Sequence, residues 1–386
     1  MRPEPTTLGG AIGIPSNGLR LLHRLGVYEQ VIARGFGGAN MTLHSLQGNV
    51  IGSQDLVGWA REETGFGYVR IKRADLVDVL LDAVHEAGIP VCFGRRVESI
   101  EEREESVFVR FEDGSVDSAD LLLGCDGIHS FVRRSWVDPS LEPGYSGMSG
   151  LSTLIPASVV SPEAMEQIAG LEATLTEEGM LVVNPCTPRK DELYMFFSKQ
   201  VALPDTEDTR DGWEVHGKDE VDGFKTMLLG VLEHAQGKWG STLKELVDKT
   251  SAVKFYPVYR LPSGGNWSKG RCVLVGDAAH AMSPHAGQGV SMAMEDVFLL
   301  SRLLEDPARP LSEVFKRYDE IRRPRVDEIS NMASQNANIR RKTGTWGLWF
   351  REIGLSVALG VSSALGLDKR GMKQKHLVYD IDHAQL

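Results

Sequence analysis

Metal-ligand spacing, an excess of positive charge and an apolar run of membrane length are all missing from this 386-residue chain. Its four cysteines, Cys92, Cys125, Cys186 and Cys272, are scattered rather than paired, which excludes a zinc-ribbon site and a disulfide framework. Each lies in or beside an apolar run and reads as a small buried hydrophobe in a reducing compartment; no metal is expected. Lysine and arginine total 42 against 53 aspartates and glutamates, a net charge of -11, so nucleic acid is excluded as a partner. No secretory signal pattern, internal repeat or low-complexity tract is visible. A cytoplasmic location is expected, with membrane association as the alternative. The longest apolar stretch, Ile353 to Leu367, is about fifteen residues, short of the roughly twenty that span a bilayer. It reads as a docked carboxyl-terminal helix; peripheral membrane contact and a true span are the alternatives.

What the chain does have is 42% apolar residues, enough for two cores, and one run of unusual information content. Cys272 to Val275 is an apolar strand that ends in Gly276-Asp277-Ala278-Ala279-His280. A loop with Pro284 and Gly287-Gln288-Gly289 follows, and a helix starts near Gly289. The strand end presents a carboxylate to sugar-like hydroxyls. The glycines let backbone N–H groups approach a planar ligand, and the helix start adds a positive dipole. A flavin uses all three, through its ribityl chain, its ring and its N1–C2=O edge.

A second block, Ala119 to Arg134, is an apolar strand, a Cys125-Asp126-Gly127 turn and a helix start with Ser130 as N-cap. In a third, Leu76, Val79 and Leu80 share one helical face with Arg73 at the entrance, where the dipole disfavours a cation and a ligand-facing role is therefore favoured. Taken together, these blocks resemble the single-component flavoprotein monooxygenases of the para-hydroxybenzoate hydroxylase and salicylate hydroxylase type. The resemblance rests on Gly-Asp-Ala-Ala-His, Pro284, Gly-Gln-Gly and the acidic pair Glu295-Asp296, with the Asp-Gly block about 150 residues upstream. It implies FAD as cofactor and NAD(P)H and O2 as co-substrates. Gly276 and Asp277 would lie on the ribityl chain, and Pro284, Gly287, Gln288 and Gly289 along the flavin edge. Arg73 would reach flavin or phosphate, Asp126 would lie near the pyrophosphate and the NAD(P)H path, and Val97 would make a backbone contact near the adenine. The pair of strands Gly88–Gly94 and Val97–Ile100 would pass beneath that adenine.

The resemblance also implies an α/β, three-layer FAD/NAD(P)-binding domain that opens with a strand, a G-x-G-x-x-G turn and a helix. No such unit precedes Gly9-Gly10-Ala11-Ile12-Gly13-Ile14, which matches a segment normally some forty residues into these proteins. The expectation is an amino-terminally incomplete domain that purifies colourless or binds FAD weakly. A working flavoenzyme with an unusual site, and a flavin-free descendant acting as a binding module or cofactor-free cyclase, are the rivals.

Residues 1–140 and 262–340 read as the discontinuous FAD-binding domain, 141–261 as an inserted, mostly antiparallel substrate domain, and 341–386 as a carboxyl-terminal helix and tail. Hairpins are expected at Met41–Ile51 and, around an Asp-Gly turn, at Val107–Val116. Pro204 to Glu220 is too charged to bury, and the basic run of Phe315 to Arg325 reads as a solvated helix face. The chemistry implied is hydroxylation or epoxidation of an aromatic or polycyclic natural product through a C4a-hydroperoxyflavin. Gly13 stands where certain relatives carry a base, which weakens a phenol-hydroxylase reading. His280 reads as structural and His285 as a weak catalytic candidate; Tyr194, Phe196 and Tyr259 are candidate pocket aromatics. Oligomeric state is not legible.

Overall fold

The computed structural model describes residues 10–201, 218–367, 370–371 and 373–386. The amino-terminal Met1–Gly9 and most of the charged excursion, 204–217, lie outside the described residues.

The first described elements are β1 (Ala11–Ile14), α1 (Ser16–Arg24), α2 (Tyr28–Arg34), the hairpin β2 (Asn40–His44) and β3 (Val50–Asp55), and α3 (Gly58–Thr64). Next come β4 (Val69–Lys72) and α4 (Arg73–Glu86). β1 and β4 pair antiparallel, and Ile14, Leu19, Leu22, Val31, Ile71, Leu76 and Val79 close a small core between them and the helices. The 3.6-residue spacing of Leu19 and Leu22, and of Leu76 and Val79, puts each pair on the buried side of its helix. β5 (Val97–Arg103), β6 (Ser106–Phe111) and β7 (Val116–Ala119) form an antiparallel meander. Gly114 turns its second hairpin at φ +81°, a conformation that favours glycine.

After β8 (Leu122–Gly124), the chain builds β9 (Gly144–Pro156), α5 (Pro162–Met165), β10 (Leu171–Leu175), β11 (Gly179–Pro185) and β12 (Glu192–Gln200). α6 (Lys218–Val231), α7 (Gly237–Lys249) and β13 (Lys254–Arg260) follow. The resulting seven-stranded sheet runs β13-β9-β12-β11-β10-β2-β3 and is antiparallel apart from the β10–β2 pair. Hairpin β2–β3 is part of this sheet, so a segment read with the nucleotide-binding residues hydrogen-bonds to the substrate-side strands. Alternation divides β12 by face. Leu193, Met195 and Phe197 join the core formed with Leu228, Leu232, Leu243 and Leu246 of the helices, and Tyr194, Phe196 and Ser198 point the other way.

The final elements are β14 (Ser268–Lys269), β15 (Cys272–Leu274), α8 (Asp277–His280), α9 (Gly289–Leu304), α10 (Leu311–Asn338) and α11 (Thr345–Ala364). β15 pairs parallel with β8 and antiparallel with β14, and β8 forms the sheet edge. The expected strand at Gly88–Gly94 does not form: that segment is irregular, and Ile89, Val91 and Phe93 are exposed. A strand is stable only against a hydrogen-bonding neighbour, and none of the described strands pairs with this segment. The basic run on α10 also departs from the sequence reading. Arg322 and Arg325 are 0% and 5% exposed, so this face is buried.

α11 lies against β3 and the large core through Leu348, Leu355 and Leu359, as a docked helix should. Its outer side exposes Trp346, Phe350, Val357 and Val361. No helix among the described residues is long and apolar enough to cross a membrane, which corrects the alternative of a true span.

Candidate active site

The site grows from the end of β15. Gly276 adopts φ +61°, and a Cβ there would stand 3.1 Å from Cβ of Ala293 on α9, so glycine lets the strand end turn against that helix. Asp277 opens α8 with its side chain accessible. Burial raises its carboxyl pKa, and the charges of His280 and Arg73 pull it back. Pro284 starts a one-turn 3-10 helix through Ala286, and Gly287 follows in the left-handed region at φ +62°. Gln288 then caps α9, whose first residue is Gly289. No heavy atom lies within 4 Å of an ideal Cβ on Gly287 or Gly289, so space remains above the start of a 16-residue helix. The backbone N–H groups and dipole there suit an electron-rich edge.

A buried ionic network fixes this loop. Asp296 accepts from the Gly276 N–H at 2.9 Å, lies 2.7 Å from His280 Nε2, and accepts from Arg322 Nε at 2.7 Å. Glu295 accepts from Arg322 Nη1 at 2.7 Å and from Asn17 Nδ2 at 2.9 Å, and Asn17 also donates to Gln288 Oε1 at 2.9 Å. Burial alone would raise the Asp296 carboxyl, but the His280 and Arg322 charges outweigh it and hold the group at about 2. The acidic pair, α1, α9 and α10 are thereby tied to the Gly-Asp turn. His280 is structural, as its place in the sequence suggested. Asn17 escaped the sequence reading because its partners lie 271 and 278 residues away, and Arg322 because it sits in a basic run.

The second wall is the sheet face opposite the large core. Tyr194 and Phe196 stack at 6.3 Å between centroids, and Phe196 and Tyr256 at 6.1 Å. An ideal Cβ on Gly150 would fall 2.5 Å from the Tyr256 ring and 2.8 Å from Phe196, so glycine makes room for this ladder. Tyr194 is within hydrogen-bonding reach of Ser152 and Tyr256, and the charges of Arg70 and Arg73 act on it. Tyr256 thus takes the place expected of Tyr259, which instead packs against Tyr145 and His129 beyond a strand irregularity.

The structure brings Gly276, Asp277, Pro284, Gly287, Gln288 and Gly289 into one loop and sets Arg73, the first residue of α4, where its charge reaches Asp277. His285 is buried in the same loop with both ring nitrogens unpartnered; burial, then the Arg340 charge, lowers its pKa to about 3. Asp126 follows β8, the parallel neighbour of β15, so both carboxylates leave the same end of the strand pair. Its Oδ2 accepts from the Phe131 and Val132 N–H groups at 2.6 and 3.1 Å, which makes it a helix cap. Val97 starts β5 in the separate meander and is not brought to the loop by any described contact. At Gly13 an ideal Cβ would lie 2.0 Å from the Tyr68 hydroxyl, so that ring occupies the space a side chain there would need.

These features fit a flavin and its ribityl chain: an accessible carboxylate, open glycine amides at a helix start, a nearby guanidinium, and an aromatic wall. The buried amide Nε2 of Gln288 is unpartnered at the head of α9, and the unpartnered hydroxyl of Ser291 lies against Gly18 of α1.

A profile of the FAD binding domain matches residues 2–212 and 263–333. The chain is 26% identical over 343 residues to 6-hydroxynicotinate 3-monooxygenase of Pseudomonas fluorescens, covering 88% of this chain and 84% of that protein. It is 29% identical over 342 residues to 3-amino-4-hydroxybenzoate 2-monooxygenase of Streptomyces cremeus, covering 87% and 79%. Among solved structures, its fold matches Klebsiella pneumoniae HpxO complexed with FAD and uric acid, with a TM-score of 0.78, 23% identity and coverage of 95% and 87%. It also matches a salicylate hydroxylase substrate complex with a TM-score of 0.71, 20% identity and coverage of 94% and 90%. With a carboxylate, a glycine-rich helix start and an aromatic wall where a flavin would lie, and with relatives that are monooxygenases, the chain belongs to the FAD binding domain family and to the FAD-dependent monooxygenases within it.

Proposed function

We propose that this chain inserts one oxygen atom of O2 into an aromatic or polycyclic substrate, by hydroxylation or epoxidation, at the expense of NAD(P)H. The observation that carries this reading is that the Arg73 charge acts both on Asp277, in the glycine-rich loop, and on Tyr194, in the Tyr194, Phe196, Tyr256 ladder. The relatives that oxidise small aromatic acids support it. We assign residues 1–140 and 262–340 to cofactor binding, 141–261 to substrate and 341–386 to a carboxyl-terminal helix and tail.

FAD, when bound, supplies hydride acceptance and oxygen activation. The chain's own residues do the rest. Asp277 accepts hydrogen bonds from ribityl hydroxyls, and Arg73 offers a fork for phosphate or the flavin edge. The N–H groups at Gly287, Gln288 and Gly289 stabilise negative charge on a carbonyl edge placed against them. The tyrosine–phenylalanine ladder excludes water and holds an aromatic ring flat. His285, with its pKa lowered to about 3, is neutral at pH 7 and serves as a hydrogen-bond partner for substrate rather than a proton store. Asp126 and Val97 serve the pyrophosphate and adenine ends.

The test is the fate of labelled oxygen. With FAD, NAD(P)H, an aromatic acid and 18O2, product should carry one labelled atom per nicotinamide oxidised. Label arriving from water instead, or no nicotinamide oxidation with any aromatic offered, would refute the reading.

A further inference from the structure

α11 carries two apolar stripes, and the fold uses one of them. Leu348, Leu355 and Leu359 recur at helical spacing on the side that meets β3 and the large core. The second stripe, Trp346, Phe350, Ile353, Val357 and Val361, recurs at the same spacing on the solvent side and ends in Leu365, with Trp349 beside it. Trp346 and Phe350 are 77% and 64% exposed. The two charged residues of the helix stay off this stripe. Arg351 Nη1 donates to the Ile339 and Arg341 carbonyls at 2.8 and 3.2 Å, and Glu352, between Leu348 and Leu355 on the inner side, has a buried carboxyl oxygen. The helix has 20 residues and is about 30 Å long, so the exposed side chains form a continuous strip that water solvates poorly.

Charge decides what covers the strip. The chain as a whole carries a net charge of -11, but residues 339–375 hold eight arginines and lysines against two acidic residues. The cations flank the strip along the chain: Arg341 and Lys342 precede Trp346, and Arg370, Lys373 and Lys375 follow Leu365. All five are exposed, and Lys342 pairs with Glu178 at 2.6 Å. Because both ends are basic, pairing with a second copy of α11 sets cations against cations in either relative direction. An anionic lipid surface instead meets these cations with headgroup phosphates and takes the apolar side chains among its acyl chains. The acidic remainder of the molecule is repelled by such a surface, which leaves this edge as the one that approaches it.

We propose that α11 is an interfacial anchor that docks this protein peripherally on an anionic bilayer. The helix lies in the plane of the interface, with Trp346, Phe350, Ile353, Val357 and Val361 inserted and the flanking cations on the headgroups. Lying flat requires no crossing, in keeping with a helix that is not long and apolar enough to span. The inner stripe holds the large sheet against the anchor through β3. The inference stands apart from the flavin reading, since it uses none of the residues of that site.

The test floats the full chain with vesicles of phosphatidylcholine alone and of phosphatidylcholine mixed equally with phosphatidylglycerol. Affinity for the mixed vesicles should exceed that for phosphatidylcholine alone by about tenfold or more. Trp346→Ser, Phe350→Ser and Val357→Ser combined should abolish flotation and leave the unfolding midpoint in place. Arg370→Gln, Lys373→Gln and Lys375→Gln combined should narrow the difference between the two vesicle types to less than about threefold. A second measurement reads insertion in the unmodified chain. Phosphatidylcholine brominated on its acyl chains, placed in the mixed vesicles, should quench tryptophan emission. Trp346→Phe with Trp349→Phe should remove most of that quenching while flotation persists. No flotation with the mixed vesicles, equal flotation with both types, or quenching that survives the phenylalanine variant overturns the proposal. A dimer in sedimentation equilibrium that the triple serine variant converts to monomer, without vesicle binding, assigns the strip to a second copy and overturns it as well.

Discussion

Single residues carry the site, and they differ in how visible they were in sequence. Asp277 and the glycines at 287 and 289 stand out because a strand end, a carboxylate and a helix start occur within a few residues of one another. Arg322 did not, because it sits in a basic run. Its signal is positional: Phe315, Tyr318, Arg322, Val326 and Ile329 recur at helical spacing, so Arg322 falls on an apolar stripe and needs a buried anion. Arg73 and Arg70 offer a direct comparison. Arg70 already donates to the Tyr68 hydroxyl at 2.5 Å, whereas the Arg73 charge acts on Asp277. Arg73→Lys should therefore weaken FAD binding about fivefold more than Arg70→Lys does, as read by flavin fluorescence titration. Equal effects would demote Arg73 to a surface cation.

At the scale of elements, the helices and the antiparallel hairpins followed from periodicity and turn residues, and the failures have a common cause. Gly88–Gly94 is as apolar as a strand, but alternation says nothing about whether a neighbour exists to pair with it. Likewise, hairpin β2–β3 was legible, and its partner β10, more than a hundred residues downstream, was not. The buried network joining α1, α9 and α10 yields a stability prediction. Arg322→Met leaves Glu295 and Asp296 without their main cation and should cost about 3–5 kcal/mol in chemical denaturation. The same change at exposed Arg317 should stay within about 0.5 kcal/mol. α11 predicts a similar contrast. Leu348→Ala removes a side chain packed on the large core and should cost about 2–5 kcal/mol. Trp346→Ser, on the exposed face, should leave the unfolding midpoint nearly unchanged.

For the whole molecule, pH dependence follows from groups whose folded and unfolded pKa values differ. His285 is neutral in the fold, with its pKa lowered to about 3 from an unfolded value near 6.5. Below pH 6.5 the unfolded chain binds the proton and the fold does not, so stability present above 6.5 is lost as pH falls toward 3. At pH 5 the loss from this residue is about 2 kcal/mol. Asp296 adds to it further down, between roughly pH 4 and its folded value of about 2. Thermal unfolding across pH 7 to 5 should show the decline, to which His376, its pKa lowered by burial to about 4, also contributes, and His285→Gln should reduce it. A melting temperature independent of pH over that range would exclude a buried neutral His285.

The antiparallel core of the large sheet was legible because strand-like runs at Met180–Asn184 and Leu193–Ser198 lie between the flavin-like motifs. The contacts that complete each part were not, since Gly150 packs against Tyr256 and Asn336 of α10 donates to the His285 carbonyl from distant parts of the chain. The central claim is that Asp277 and the glycine-rich start of α9 hold a flavin. The most direct measurement is an FAD titration of the full chain and of Asp277→Ala, followed by quenching of flavin fluorescence. The account predicts saturable binding by the unmodified chain and an affinity about tenfold to a hundredfold weaker in the variant, the loss of a charge-assisted bond of about 1.5–3 kcal/mol. Identical isotherms for the two proteins would contradict it.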